Sequence, residues 1–188
     1  GIGWYRKTFS VPKSYKGKSV YIHFDGIFQQ SDVYINGKHL GHRPYGFCSI
    51  EYDLTPYLRI DEENTIAVRV NTTGGRPRWY AGAGIYRHAW LKVVNPVHVA
   101  TYGTYITTAD ANETHADVKI RTTVANRSDK PQTITVTQRL LNNAGREVAR
   151  SKSAKASIET GATTDIEHIV AVKFPQLWTL EDPVMYSM

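Results

Sequence analysis

In the stretch Arg76-Pro77-Arg78-Trp79-Tyr80-Ala81-Gly82-Ala83-Gly84-Ile85-Tyr86-Arg87, a proline and two glycines interrupt an otherwise strand-like sequence. Pro77 has no backbone N–H to give to a sheet, and Gly82 and Gly84 allow backbone angles that other residues avoid. The stretch therefore predicts an irregular loop held in one shape between two strands. Loops of this kind carry function more often than the strands that flank them.

The candidate functional residues of this loop are Arg78, Trp79 and Tyr80. They offer a guanidinium, an indole and a phenol, which can stack on sugar rings, bind carboxylates or anchor an interface. Residue chemistry alone leaves a second interpretation equally open, in which the aromatic rings fold back as a lid on a sandwich core.

Alternating apolar residues on both sides of the loop predict β-strands, because every second side chain of a strand points to the same face. The clearest sets are Val20, Ile22 and Phe24; Ile66, Val68 and Val70; Ala89, Leu91 and Val93; and Val118, Ile120, Thr122 and Val124. In the first set, Tyr21 and His23 are expected on the exposed face. Ile134, Val136 and Leu140 are expected to share one further strand.

Turn signals separate these strands at short intervals. Asn36-Gly37 predicts a type I′ hairpin, since both central residues of that turn need positive φ. Thr55-Pro56-Tyr57-Leu58 predicts a short helical turn, with Thr55 as the cap and Pro56 at the first position. Asn95-Pro96 is the best domain boundary, which gives domains of residues 1–95 and 96–188. Short strands between frequent turns predict two consecutive β-sandwiches in an all-β chain.

Composition supports this fold class and limits the possible functions. Of 188 residues, 11% are aromatic, which favours strands over helices. A single Cys excludes an intrachain disulfide and any cysteine-cluster metal site. The formal net charge is +6, but the basic residues are dispersed, so we expect a solvated surface rather than a nucleic-acid partner. No apolar run reaches membrane-spanning length, so we expect no membrane partner.

Motifs for chemistry are sparse, and we expect no catalytic residue, metal site or cofactor in this chain. His39 and His42 bracket a predicted hairpin and lack a third ligand nearby in sequence, which favours ordinary surface histidines. Asn112-Glu113 lies in a predicted polar turn, which is a poor place for a catalytic acid. Hydrolysis by a pair of carboxylates needs the two groups on opposite sides of the scissile bond.

Several motifs, taken in order, carry a resemblance to a known family. They are Phe24-Asp25-Gly26, Val33-Tyr34-Ile35-Asn36-Gly37, Arg43-Pro44-Tyr45-Gly46, Tyr52-Asp53-Leu54-Thr55-Pro56-Tyr57-Leu58, Asn64-Thr65-Ile66-Ala67-Val68-Arg69-Val70, the loop stretch itself and His88-Ala89-Trp90-Leu91. Together they resemble the non-catalytic front end of glycoside hydrolase family 2, which includes β-galactosidases, β-glucuronidases and β-mannosidases. The resemblance covers nearly the whole chain.

The resemblance implies a galactose-binding-like jelly roll over residues 1–95, with its opening strands before Gly1, followed by an immunoglobulin-like sandwich over residues 96–188. It implies a β-galactosidase-like parent, periplasmic or secreted rather than cytoplasmic, which can be a homo-oligomer. The partner implied is a catalytic barrel later in the same polypeptide, which holds both carboxylates. Arg78, Trp79 and Tyr80 would then bind carbohydrate substrate at one edge of the barrel's active site.

Two other functions remain open at this point. One is an autonomous carbohydrate-binding module in which Trp79, Tyr80 and Tyr45 form a stacking platform. The other is a purely structural or oligomer-forming pair of sandwiches. The sequence names neither the sugar nor the linkage.

Overall fold

Strands dominate the computed structural model, which describes residues 1–74 and 82–188. The two helical elements in these ranges are short 3₁₀ turns, at Lys13–Tyr15 and Thr55–Tyr57, so the all-β prediction is confirmed. The chain divides into two units, Gly1–Asn95 and Pro96–Met188. Within the described ranges, no helix is long and apolar enough to cross a membrane.

The described residues of unit 1 form nine strands. They are β1 (Ile2–Ser10), β2 (Ser19–Phe24), β3 (Ile27–Phe28), β4 (Ser31–Ile35), β5 (Lys38–Arg43), β6 (Ile50–Asp53), β7 (Glu63–Asn71), β8 (Gly84–Ile85) and β9 (Ala89–Val94). A four-stranded sheet has the order β1-β7-β4-β5, a three-stranded sheet has the order β6-β2-β9, and β3 pairs with β8. All these pairings are antiparallel.

The core of unit 1 lies between the four-stranded and three-stranded sheets. Its buried residues come from β2 and β6 on one side and from β4 and β7 on the other, as in Ile22, Phe24, Val33 and Val68. Tyr21 differs from the prediction, since it is buried too. The Nζ atom of Lys92, on the neighbouring strand β9, lies 4.8 Å from the centroid of the Tyr21 ring and covers it. Both faces of β2 are therefore covered at this point.

Two predicted turns of unit 1 can be compared with the structure. The Asn36-Gly37 hairpin is confirmed, with φ of 48° and 81° at its two residues. The helical turn at Thr55–Tyr57 also forms, but Thr55 does not cap it: the cap position is Leu54, and no side chain bonds there. The Thr55 hydroxyl instead accepts a hydrogen bond from the Val20 amide at 2.9 Å, because tertiary pairing with β2 competes with local capping.

Unit 2 is built from seven strands. They are β10 (Val97–Thr107), β11 (His115–Asn126), β12 (Gln132–Val136), β13 (Arg139–Leu141), β14 (Glu147–Arg150), β15 (Ala154–Ile158) and β16 (Thr163–Lys173). The main sheet has the order β10-β11-β16, and two small sheets pair β12 with β15 and β13 with β14. The small sheets cover the inner face of the main one, where Ile120, Val170, Leu140 and Ile158 are buried.

The predicted strands of unit 2 are partly revised. Val118, Ile120, Thr122 and Val124 all face the core, as their alternation indicated. Leu140, in contrast, does not continue the strand of Ile134 and Val136, since β12 ends at Val136 and β13 begins at Arg139. Between them the buried Gln138 side chain donates to the Thr122 hydroxyl at 2.7 Å, and this core hydrogen bond accompanies the break.

Candidate functional site

The three candidate residues of the central loop, Arg78, Trp79 and Tyr80, lie in residues 75–81, outside the described residues. The structure does describe what surrounds this stretch, and we call residues 26–30, 44–48, 71–74 and 82–86 the loop base. The loop base fixes where the chain leaves and re-enters the sandwich.

Both ends of the loop are attached to the same short segment, residues 27–30. On the entry side, the Asn71 amide lies 3.1 Å from the Gln29 carbonyl oxygen and 3.3 Å from that of Gln30. On the exit side, β8 pairs with β3, so that Gly84 lies opposite Phe28. This pairing corrects the prediction of an irregular loop over all of residues 76–87. Gly84 has a φ of 107°, which a glycine adopts at little cost.

Gln30 marks the strained point of the loop base. Its φ is 45°, a region that non-glycine residues seldom adopt, and its amide donates to the Pro44 carbonyl at 3.2 Å. Backbone held in such a region tends to occur at functional sites, where the surrounding structure compensates for the strain. Segments 27–30 and 44–48 are thereby joined within the loop base.

Four aromatic rings form a cluster on the loop base. Phe47 lies at its centre, with its ring centroid 5.1 Å from Phe28, 5.7 Å from Tyr45 and 6.4 Å from Tyr86. Phe28 is buried, whereas Tyr45 and Phe47 remain 60% and 53% exposed. Large apolar rings left this exposed are typical of a recognition surface.

Tyr86 ties the loop exit to this cluster. Its hydroxyl donates to the Gly46 carbonyl at 3.0 Å, and its ring lies directly on Gly26, where an added Cβ would come within 2.6 Å of the ring. A Cβ at Gly46 would similarly meet the Phe28 ring at 2.6 Å. Both glycines are therefore needed for the rings to pack this closely.

Sequence reasoning identified only Tyr45 among these four rings. Phe28, Phe47 and Tyr86 were missed because they come from three separate segments, which only the tertiary fold brings together. One local signal was present, since each lies within two residues of a glycine that the packing requires.

The loop base offers aromatic rings but no carboxylate. None of the residues in the loop base or in the enclosed stretch 75–81 is Asp or Glu. Glu113 is exposed in the turn before β11, where the Asn112 carboxamide oxygen accepts from the Thr114 and His115 amides at 2.9 and 3.0 Å. It belongs to unit 2, whereas the loop base belongs to unit 1.

The two histidines singled out by the sequence share a carboxylate. His39 Nε2 and His42 Nδ1 lie 3.2 and 3.0 Å from Oδ1 of Asp32, while Arg69 Nη1 lies 3.2 Å from Oδ2. Arg69 places a permanent positive charge beside the one carboxylate, which disfavours a cation there. In the part of the chain that the structure describes, no three His, Cys, Asp or Glu residues are placed to hold a metal ion.

Comparison with known proteins shows a family for both units. The family model "Glycosyl hydrolases family 2, sugar binding domain" matches residues 1–93, and the model "Glycosyl hydrolases family 2" matches residues 97–188. A β-galactosidase of Bacteroides ovatus, BoGH2A, is 47% identical over 189 residues, which include all of this chain and 22% of that enzyme. A β-glucuronidase of Formosa agariphila is 35% identical over 209 residues, which include all of this chain and 21% of that protein.

Solved structures agree with these relatives. A family 2 member from Bacteroides cellulosilyticus superimposes with a TM-score of 0.93 at 38% identity, over 99% of this chain and 26% of that one. A family 2 β-glucuronidase superimposes with a TM-score of 0.93 at 35% identity, over 99% of this chain and 22% of that one. The chain thus spans about a fifth of the length of the curated relatives it matches. The jelly-roll and immunoglobulin-like classes predicted from the sequence are confirmed.

Proposed function

The chain belongs to glycosyl hydrolase family 2, and from this membership we propose that it forms the non-catalytic sandwich pair of a β-galactosidase-like glycosidase. In this proposal a catalytic barrel elsewhere in the same polypeptide cleaves the glycosidic bond. Units 1 and 2 support that barrel, and the loop containing Arg78, Trp79 and Tyr80 forms one edge of its sugar site.

The observation that carries the proposal is the match of both units, along nearly the whole chain, to the front portion of family 2 enzymes. The similarity reaches 47% identity with an enzyme named as a β-galactosidase, of which this chain covers 22%. Relatives named as β-glucuronidases match the chain over its full length as well. A glycosidase is therefore the proposed parent, with galactosides as the first substrates to test.

The loop base explains how this chain would contribute to a sugar site. A loop whose two ends are attached to a sandwich, as the flanking residues are here, is a common carrier of binding groups such as aromatic faces and a guanidinium. Aromatic faces contact the C–H surfaces of a sugar ring, and Arg78 can bind hydroxyl or carboxylate oxygens. The exposed rings of Tyr45 and Phe47 extend this surface beside the loop.

The test is kinetic and uses the full-length enzyme that contains this chain. We expect Arg78→Ala and Trp79→Ala each to lower kcat/KM for a chromogenic β-galactoside by about ten- to a hundred-fold, or about 1.4–2.7 kcal/mol. Matched controls are Arg59→Ala and Trp178→Ala, which remove the same side-chain types from exposed positions outside the loop. The controls should leave kcat/KM unchanged.

Two results would contradict the proposal. If both loop variants retain full activity, the loop is a lid and not part of the sugar site. If the 188-residue chain alone binds lactose with micromolar affinity and Trp79→Ala abolishes this binding, the chain is an autonomous carbohydrate-binding module. We expect at best millimolar binding by the chain alone, about 4 kcal/mol, since a site with one wall buries too little of a monosaccharide.

A further inference from the structure

The outer face of the four-stranded sheet carries a strip of three rings. Trp4, Tyr34 and His39 come from β1, β4 and β5, and their ring centroids are 5.8 Å apart for Trp4 and Tyr34 and 4.9 Å apart for Tyr34 and His39. On β7, the strand between β1 and β4, Ala67 lies opposite Tyr34. Because the alanine side chain is small, the Trp4 ring can extend over β7 and contact the Tyr34 ring. We call these three rings the aromatic platform.

The platform lies on the side of the sheet that does not form the core. Val33 and Val68 point inward and are buried, so their neighbours Tyr34 and Ala67 point outward. Trp4 is 60% exposed. A tryptophan on a sheet face is costly to leave in water unless something binds it, because its indole carries a large apolar surface.

Two arginines lie beside the platform. Arg6 lies opposite Ala67 and Arg69 lies opposite Trp4, both on the same outer face. Arg69 bonds Asp32, whose carboxylate also bonds His39 and His42. Among the described residues no hydrogen bond or ion pair engages the Arg6 guanidinium, so it is free to bind an anion.

The charge of the whole chain is concentrated in the unit that carries this face. Residues 1–95 hold 13 Lys and Arg against seven Asp and Glu, whereas residues 96–188 hold ten of each. The excess of six positive charges therefore belongs entirely to unit 1. An anionic ligand is attracted to this unit over longer distances than the direct contacts reach.

We propose that the aromatic platform binds an anionic polysaccharide, one whose sugar units carry carboxylate or sulfate groups. The rings of Trp4 and Tyr34 pack against the apolar faces of successive sugar units. Arg6 binds the carboxylate or sulfate, since a guanidinium matches the geometry of both groups. The ligand is taken to be anionic because Arg6 and the net charge of unit 1 are positive.

The same features disfavour other macromolecules. A nucleic-acid strand presents one phosphate per nucleotide, and its binding depends on several cations along the path. This face offers two arginines, with the carboxylate of Asp32 beside one of them. A protein partner would bury an apolar centre within a polar rim, whereas the Arg69–Asp32 ion pair lies next to the rings here.

The proposal goes beyond the proposed function and does not depend on it, because binding is measured without hydrolysis. The 188-residue chain would be run in affinity electrophoresis through gels that contain polygalacturonate, chondroitin sulfate or neutral hydroxyethyl cellulose. Titration calorimetry with a twenty-nucleotide oligothymidylate completes the set. We expect retardation by at least one of the two anionic polymers, about ten-fold stronger than by the neutral polymer, and weakened by added salt.

Three variants locate the site. Trp4→Ala should weaken binding of the anionic polymer by roughly ten-fold, and Arg6→Gln by roughly three- to ten-fold with a smaller salt dependence. Trp178→Ala removes a tryptophan that is 56% exposed in unit 2 and should change nothing. Circular dichroism spectra that match the parent chain would establish that each variant is folded.

Four outcomes with the parent chain and the platform variants would overturn the proposal. They are no retardation by either anionic polymer, equal retardation by the neutral polymer, tighter binding of the oligothymidylate, and binding that Trp4→Ala and Arg6→Gln leave unchanged. Stronger retardation by polygalacturonate would identify carboxylate as the recognised group, and stronger retardation by chondroitin sulfate would identify sulfate. Loss of binding through Trp79→Ala instead of Trp4→Ala would assign it to the loop, and so would also overturn the proposal.

Discussion

At the scale of single residues, Asp32 is the most constrained ionisable group on the outer face of unit 1. Burial raises the pKa of its carboxyl group, but hydrogen bonds from His42, His39 and Arg69 outweigh this effect, and the net pKa is lowered from its ordinary value. The folded state thus favours the ionised form. A lowered pKa contributes stability that is present above the pKa of the unfolded chain and is lost as the pH falls through the folded value.

Asp32→Asn is therefore expected to reduce the free energy of unfolding by about 1–2 kcal/mol at pH 7, because three hydrogen bonds lose their charged acceptor. The difference in unfolding free energy between the variant and the parent chain should shrink below about pH 4. It should vanish once the Asp32 carboxyl group is protonated in both the folded and the unfolded chain. Urea denaturation at pH 7, 5 and 3 measures it. Asp110→Asn, at an exposed position in unit 2, is the control. A difference that stays constant with pH would show that the ionised form is not favoured.

At the scale of elements, the turn between β11 and β12 is organised by one buried side chain. Asn126 is fully buried, and its side-chain nitrogen Nδ2 donates to the Lys130 and Ile158 carbonyls, both at 2.9 Å. Its carboxamide oxygen accepts from the amide and hydroxyl of Ser128 at 3.0 and 2.6 Å. The Asn126-Arg127-Ser128 sequence fits the pattern for N-glycosylation. In this structure its asparagine and serine instead stabilise the turn through these hydrogen bonds.

Asn126→Ala should lower the free energy of unfolding by about 2–4 kcal/mol, since the buried Ile158 carbonyl loses a donor and the Ser128 amide loses its acceptor. Asn112→Ala is a matched control: Asn112 makes the same type of turn, with bonds to the Thr114 amide and hydroxyl, but is exposed, so its loss should cost less than about 1 kcal/mol. Chemical denaturation of both variants measures the two values. Equal losses would show that burial does not decide the strength of this turn.

The turns also show how far the sequence predicts this fold. The Asn36-Gly37 hairpin was predictable because its positive φ angles depend on the two residues themselves. The cap at Thr55 and the loop character of Gly84 were wrong, since both pair with distant strands that no local pattern reveals. The candidate site follows the same rule. The loop was predicted from the chemistry of its own residues, and Arg78, Trp79 and Tyr80 remain a prediction because they lie outside the described residues. The ring cluster centred on Phe47 could not be predicted, since its members come from separate segments.

At the scale of the whole molecule, the two units differ most in charge. The excess of six positive charges in residues 1–95 destabilises unit 1 by self-repulsion, whereas residues 96–188 have no excess of either sign. Added salt screens this repulsion, with a Debye length that falls from about 30 Å at 0.01 M to about 10 Å at 0.1 M. We therefore expect salt to stabilise unit 1 and to leave unit 2 nearly unchanged.

Scanning calorimetry of the intact chain in 10 mM and 200 mM NaCl tests this, once each unfolding transition is assigned to a unit. Val33→Ala and Val170→Ala open cavities in the two cores, since both valines are almost fully buried, and each should lower only its own transition. The transition that Val33→Ala lowers should rise by about 2–5 °C between the two salt concentrations. The transition that Val170→Ala lowers should move by less. If both transitions rise equally, salt acts by strengthening the burial of apolar surface in general. The difference in charge between the two units would then not determine their stabilities.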